Sequence, residues 1–241
     1  MTRLCVLFFL SFLAAFPAVV PAQEATPAEP AATPAPAATP VAEDPAIAFL
    51  RKVEEANRDV ETLYGKFSQV RENVMFSEEI HSNGEFWHTR PNKFRCDYKD
   101  PSPAQFFLIE NTGYFYSPEN KQLDKFKVDA SEDAPINELL VGFGLKVELI
   151  LDVFNVSLAE DQGTDPGQIV IDFLSRDVDR TLNFQKITIA FDKEELQPRK
   201  LVMEETEDVV RIEIIEIRKN PPIPESTYET TFPADVTVNE M

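Results

Sequence analysis

With 42 acidic against 23 basic side chains in 241 residues, the chain carries a formal net charge of −19, which excludes the partners that basic proteins attract, nucleic acid and anionic lipid surfaces. Its 19 phenylalanines stand against one tryptophan and five tyrosines, a load of aromatics without a polar handle that suits a dry interior better than a sugar-binding or base-stacking surface. The length allows one large β domain, or two small ones, with ample material for a core.

The first residues read as an export signal. Arg3 gives a short basic start, Cys5 to Ala15 an apolar run, and Val20-Pro21-Ala22 a small residue at the cut, so cleavage is expected after Ala22, leaving 1–22 as the signal. The competing reading is a retained membrane anchor, but Pro17 and Pro21 break a run already short for a span. Cys5 lies far too early to be a lipid-modified cysteine at the cut. Losing Arg3 and no acidic residue takes the net charge from −19 to −20. Cys96 is then alone, so no internal disulfide can form, and an inert buried thiol is expected. Residues 23–43 are Ala, Pro, Thr and Glu with no large aliphatic run, which reads as an extended tether before a folded domain over 44–241.

Asp44-Pro45 has the form of an N-cap followed by proline at the first helical position. Ile47, Leu50, Val53 and Val60, with Phe49 beside them, form an apolar stripe along 45 to about 60, predicting an amphipathic helix. From Leu63 the period becomes two. Strands are expected at 64–70, 79–89, 93–98, 105–109, 114–117 and 123–128, with turns at 73–77, Asp100-Pro101, Asn111-Thr112-Gly113 and 118–120. Asn83-Gly84 is either a two-residue hairpin turn or a glycine inside a long, sharply curved strand, and the second reading is preferred. The alternation then stops. Pro135 opens an apolar helical segment interrupted by Gly142 and Gly144, either a movable lid or a fixed buried helix with a kink, and a further helical turn or two is expected over 145–153. Strands return at 155–159, 168–175, 185–191, 199–205 and 209–218, and Phe232 to Val238 closes the chain. The expected fold is mainly β with an α lid: about ten or eleven antiparallel strands curled into an incompletely closed barrel covered by helices.

Chemistry is scarce. His81 and His88 are the only histidines, with no H-E-x-x-H or Cys/His cluster, so neither a metal site nor any other cofactor is expected. No G-x-S-x-G elbow or phosphate-cradling glycine loop occurs among the seven glycines. Carboxylates are abundant enough that a glycosidase-like pair survives counting, but the acidic runs fall where turns are expected, and no enzyme is the preferred reading. The most informative stretch is Gly84 to Phe94, GEFWHTRPNKF. Strand parity puts Phe86, His88 and Arg90 on one face and Glu85, Trp87 and Thr89 on the other, until Pro91 ends the ladder. Trp87 reads as core or interface packing, and His88 as a hydrogen-bonded wall residue rather than a proton carrier. If the Arg90 face lines an apolar interior, its guanidinium needs acceptors, and the carbonyls ending the helix at Gly142 would suit it; otherwise it is a surface arginine paired with one of many carboxylates.

GEFWHTRPNKF resembles the signature of the LolA family of periplasmic outer-membrane lipoprotein carriers, in which a strand reads glycine, an apolar residue, Trp, then Arg-Pro-Asn and Phe. Tyr114-Phe115-Tyr116-Ser117-Pro118 is similar to the family's next aromatic strand, and Phe232 to Val238 to its closing segment; the resemblance runs over roughly 45–241. It implies a monomer whose apolar cavity holds the acyl chains of lipoproteins, lined by Phe86, Trp87, Phe94, Phe107 and Phe115. It also implies a lid carrying Ile136, Leu139, Leu140 and Phe143, and a latch at Arg90. Phe94 matches the cavity phenylalanine that keeps cargo from returning. The implied partners are acylated lipoproteins, an inner-membrane lipoprotein-releasing ABC transporter and an outer-membrane receptor. The long tether, the acidity and the apolar stretch after Gly144 depart from the pattern. Relatives of this fold serve other ends: the receptor LolB, disfavoured because no lipidated cysteine follows the signal, mycobacterial glycolipid carriers, and RseB-like envelope-stress regulators, which supply the alternative function.

Overall fold

Asp44 opens the first helix as its sequence dictates: Oδ1 accepts from the Ala46 N–H at 2.8 Å, and Pro45 takes the first position, where no N–H is needed. The computed structural model describes residues 43–128, 146–178 and 184–240; the expected signal, most of the tether and the expected lid segment with Gly142 and Gly144 lie outside the described residues. This first helix, α1, runs Pro45–Ala56 and buries Ala46, Phe49, Leu50 and Val53. Twelve residues are too few to hold a helix in water. Burying Phe49, Leu50 and Val53 contributes roughly 5–9 kcal/mol as an upper estimate, so packing decides the matter. The helix stops short of the expected residue 60. Asn57 leaves the helical path, its amide donating to Val53 O at 2.8 Å and to Leu196 O at 3.5 Å, and Val60 is buried beyond the helix end.

Twelve strands follow: β1 Thr62–Asn73, β2 Glu78–Thr89, β3 Lys93–Asp100, β4 Ala104–Ile109, β5 Thr112–Ser117, β6 Gln122–Lys127, β7 Phe154–Leu158, β8 Gln168–Ser175, β9 Lys186–Asp192, β10 Gln197–Glu204, β11 Asp208–Lys219 and β12 Thr237–Glu240. They form one sheet in the order β12-β6-β5-β4-β3-β2-β1-β11-β10-β9-β8-β7, whose outer strands β12 and β7 do not pair with each other. The fold is thus a curled, incompletely closed barrel with helices over one face. All neighbours are antiparallel except β12, the closing segment, which lies parallel on β6 and brings the count to twelve. Gly84 lies inside β2 rather than in a turn, next to a register shift at Asn83/Gly84 against β3. Gly113, expected in a turn, is instead inside β5; the turn falls earlier, with Glu110 taking φ 55°.

The second helix, α2 (Val147–Val153), follows the expected 145–153 and buries Val147, Ile150 and Val153. It docks on α1, where Arg51 bonds Glu148 at 2.8 Å. Both helices pack on one face of the sheet, here the inner face, against Ile171, Phe173, Ile187, Ile189, Phe191, Leu201, Met203 and Val210 of β8–β11. A second cluster occupies the inner face of β1–β6: Val60, Leu63, Phe67, Phe86, Cys96, Ala104, Phe106, Phe115 and Phe126. Ile212 and Ile214 of β11 touch both clusters, so the inner face is continuous. Cys96 is buried as expected, and burial pushes its thiol far above the ordinary range, so it cannot act as a nucleophile near neutral pH.

Candidate functional site

Register builds the candidate site. Phe86 of β2 pairs with Cys96, Cys96 with Phe106 of β4, and Phe106 with Phe115 of β5, so these side chains share the inner face. Phe94 lies on the same side and links the row: its ring is 6.3 Å from Phe86 and 6.1 Å from Phe106, and Phe106 is 6.4 Å from Phe126 of β6.

The rings lie down on the sheet instead of standing off it. Gly65 pairs with Phe86 and Gly84 with Phe67, and a Cβ added to either glycine would fall 2.4 Å from the Phe86 ring or 2.7 Å from that of Phe67. Gly113 and Phe126 repeat the arrangement on β5 and β6, again at 2.4 Å. Each ring thus fills the place of a missing side chain on the neighbouring strand, a device that bends a sheet while covering its backbone. The result is a low phenyl floor across half of the barrel.

Trp87 and Phe107 are not part of it. Period two sends them to the outer face, because Phe86 and Phe106 point inward. There Arg95 lies over both rings, at 5.4 Å from Trp87 and 5.1 Å from Phe107. Arg95 also grips Asp97 with two bonds of 2.8 and 2.7 Å and donates to Thr227 O at 2.8 Å. Phe232 packs against Phe107, Tyr114 and Tyr116. These contacts fasten residues 221–236 across the outer face, a role for Trp87, Phe107 and Arg95 that is structural. Phe67, Phe106 and Phe126 were the floor residues missed from sequence; the signal for them was parity with Phe86 and the glycines opposite. Ile136, Leu139, Leu140 and Phe143 lie outside the described residues.

Arg90 stands just past the end of β2, at the cis Arg90–Pro91 peptide. Its Nη1 donates to Arg58 O at 2.7 Å and its Nη2 to Asn57 O at 3.3 Å. Asn57 is the C-cap of α1, so its carbonyl belongs to the helix end, where the dipole is negative, and Arg58 lies one residue beyond it. Arg90 thus donates to the C-cap carbonyl of α1 and to the one after it; the segment with Gly142, expected to supply acceptors, lies outside the described residues. A backbone bond from Arg90 N to Glu61 O at 2.9 Å fixes the same corner. Beside it, burial and then the Arg90 charge hold His88 down to about 4, so the ring is neutral near pH 7. The carbonyl Oδ1 of Asn57 is buried and finds no donor among the described residues. Among those residues no group of three or more His, Cys, Asp or Glu is placed to hold a metal, and no helix is long and apolar enough to cross a membrane.

The family model described as outer membrane lipoprotein carrier protein LolA matches residues 58–231, well over half of the chain. An outer-membrane lipoprotein carrier protein from Methylococcus capsulatus is 29% identical over 133 residues, which are 55% of this chain and 60% of the relative. The chain therefore spans about three-fifths of that carrier's length. A crystal structure of an uncharacterised conserved protein from Thermus thermophilus superposes with TM-score 0.52 at 12% identity, covering 80% of this chain and 98% of the other. A LolA superfamily protein from Nitrosomonas europaea aligns with TM-score 0.41 at 10% identity, over 77% and 97% of the two chains. On the extent of the family match, with the unclosed sheet and its overlying helices, the chain belongs to the LolA family.

Proposed function

We propose that this protein is a periplasmic carrier that shields the acyl chains of lipoproteins on their way to the outer membrane. The observation that carries the reading is the floor of flat phenyl rings on the inner face of β1–β6, ending at a guanidinium that grips the end of α1. Each acyl CH₂ withdrawn from water is worth about 0.8 kcal/mol, so an acylated protein does not cross an aqueous space unshielded. A curved apolar surface supplies the shield. A few polar bonds at one corner, weak beside the acyl burial, suit a closure that cargo can open. The carrier does no covalent chemistry and needs no cofactor, since passing the cargo on requires only a tighter acceptor. In this reading residues 1–22 direct export, 23–43 tether the folded domain, and the monomer receives its cargo from an inner-membrane ABC transporter and yields it to an outer-membrane receptor. The lid over the floor would come from the segment of Ile136 to Phe143.

The test is uptake. Purified, delipidated protein is mixed with a triacylated lipoprotein, and the complex is sought by gel filtration and native mass spectrometry. A one-to-one complex that deacylated lipoprotein fails to form is expected. No complex with either, or equal binding of both, sinks the reading.

A further inference from the structure

The turn between β1 and β2 exposes three consecutive apolar side chains, Val74 at 53%, Met75 at 71% and Phe76 at 72%. Soluble proteins scatter exposed apolar residues singly, and a contiguous group at a protruding tip has a use. This tip is also fixed. Val74 N–H donates to Glu207 O at 2.8 Å, Ser77 N–H to Asn73 O at 2.8 Å, and Phe76 N–H to Asn73 Oδ1 at 3.1 Å. Asn73 is itself tied to Asp208, at 3.2 Å. The turn is therefore bolted to the one joining β10 and β11, and its shape is set before any partner arrives.

Charge says what kind of partner fits. Glu78, Glu79 and Glu207 are exposed around the tip. The nearby cations are engaged, Arg71 with Asp208 at 2.5 Å and Arg211 with Glu72 at 2.8 Å. Anionic phospholipid would meet these carboxylates within a Debye length, about 8 Å, and be repelled. A second copy would meet an equally acidic rim. We propose that the Val74-Met75-Phe76 tip is a docking anchor for a partner protein that offers an apolar pocket rimmed by lysine and arginine. A rigid Met and Phe in such a pocket are the anchor, and the surrounding carboxylates give steering and orientation. The site lies at the far end of β2 from Arg90, roughly 36 Å away for a strand of this length at the usual rise. A docked partner would therefore leave the Arg90 corner free.

The experiment replaces Phe76 with the photoreactive analogue p-benzoylphenylalanine in the full chain and irradiates it in the envelope of the cell that makes it. The expected result is an adduct with one protein, its crosslinked peptide in an apolar pocket flanked by Lys or Arg. The yield should fall about tenfold when Glu78, Glu79 and Glu207 are all changed to Lys, the loss expected when charge complementarity is reversed. In parallel, wild type and Val74→Ser/Met75→Ser/Phe76→Ser are tested for co-sedimentation with phosphatidylethanolamine–phosphatidylglycerol vesicles and for self-association by sedimentation equilibrium. The triple variant should melt with the wild type, because the side chains it loses are exposed. Vesicle binding or self-association by wild type that the triple variant loses would show a bilayer or a second copy as the occupant and overturn the proposal. So would the absence of an adduct, or one indifferent to charge reversal. Failure here leaves acyl uptake untouched, so the two readings fail separately.

Discussion

Arg90→Leu removes the donors that reach Arg58 O at 2.7 Å and Asn57 O at 3.3 Å. Asn57 O retains the Val60 N–H at 3.2 Å, so its loss is partial. A hydrogen bond from a charged donor contributes about 1.5–3 kcal/mol when well sheltered; this corner is partly open to water and one bond is long, so about 1–2 kcal/mol in total is the reasonable figure. That corresponds to roughly a 5–30-fold rise in opening of the turn between α1 and β1. Hydrogen exchange read by mass spectrometry should show that acceleration in a peptide over residues 57–61 and none in β10. If the carrier reading is right, a bound fatty-acyl probe should also leave faster. Lysine cannot present a two-pronged donor, so Arg90→Lys should recover only about half of the loss in free energy. Unchanged exchange at 57–61 and unchanged probe release in Arg90→Leu would show that these bonds hold nothing closed.

The two faces of the sheet give a paired test: Phe106→Ala should abolish acyl-probe uptake, whereas Phe107→Ala should leave uptake intact and lower the melting temperature, as read by fluorescence titration and thermal unfolding. Gly84→Ala places a Cβ 2.5 Å from Asp97 O and 2.7 Å from the Phe67 ring, and the backbone oxygen cannot retreat. A cost of about 2–3 kcal/mol follows, lowering Tm by about 4–12 °C, whereas Gly167→Ala, whose nearest contact is a side-chain oxygen at 3.2 Å, should change it little. His88 titrates near 4 in the fold against 6.5 when unperturbed, so the unfolded chain takes the proton first on acidification. Its contribution is therefore complete above pH 6.5 and is lost as pH falls through 4, and His88→Gln should flatten that limb of a denaturation–pH profile by up to about 2–3 kcal/mol. Glu205 runs the other way: burial lifts it from 4.5 to about 7, so stability falls as pH rises through that window. Glu205→Gln should stabilise the protein above neutrality and do nothing at about pH 4, where both states are largely protonated.

Much of this fold is written in local pattern. The cap at Asp44, the stripe Phe49-Leu50-Val53 and the switch to period two at Leu63 each report on neighbours a few residues away, and the helix and the strands follow them. Gly84 was readable as a strand glycine because a residue without a side chain permits the sharp curvature of a long strand, and it lies inside β2. What was not legible depends on pairing across the sheet. Gly113 sits in a stretch that looks like a turn, and only the Phe126 ring lying across it makes it a strand residue. Phe106 and Phe107 are indistinguishable as residues, and their opposite fates are set by the register of β4 against β3. Arg90 announced that it would need acceptors, but not that the C-cap of α1 would be among them. The closing segment showed no sign of its parallel seat on β6, and the turn expected at 73–77 gave no sign that Val74, Met75 and Phe76 would all be exposed on it.

A fully closed barrel has a girth fixed by its strand number and stagger. Here the margins at β7 and β12 stay unjoined, so the wall can coil more tightly or relax while every ladder between neighbouring strands stays intact. Changing its radius then calls for small rotations shared among many strands, with no seam to tear. If the carrier reading is right, a vessel of this kind would adjust to loads of different bulk by flexing its whole circumference.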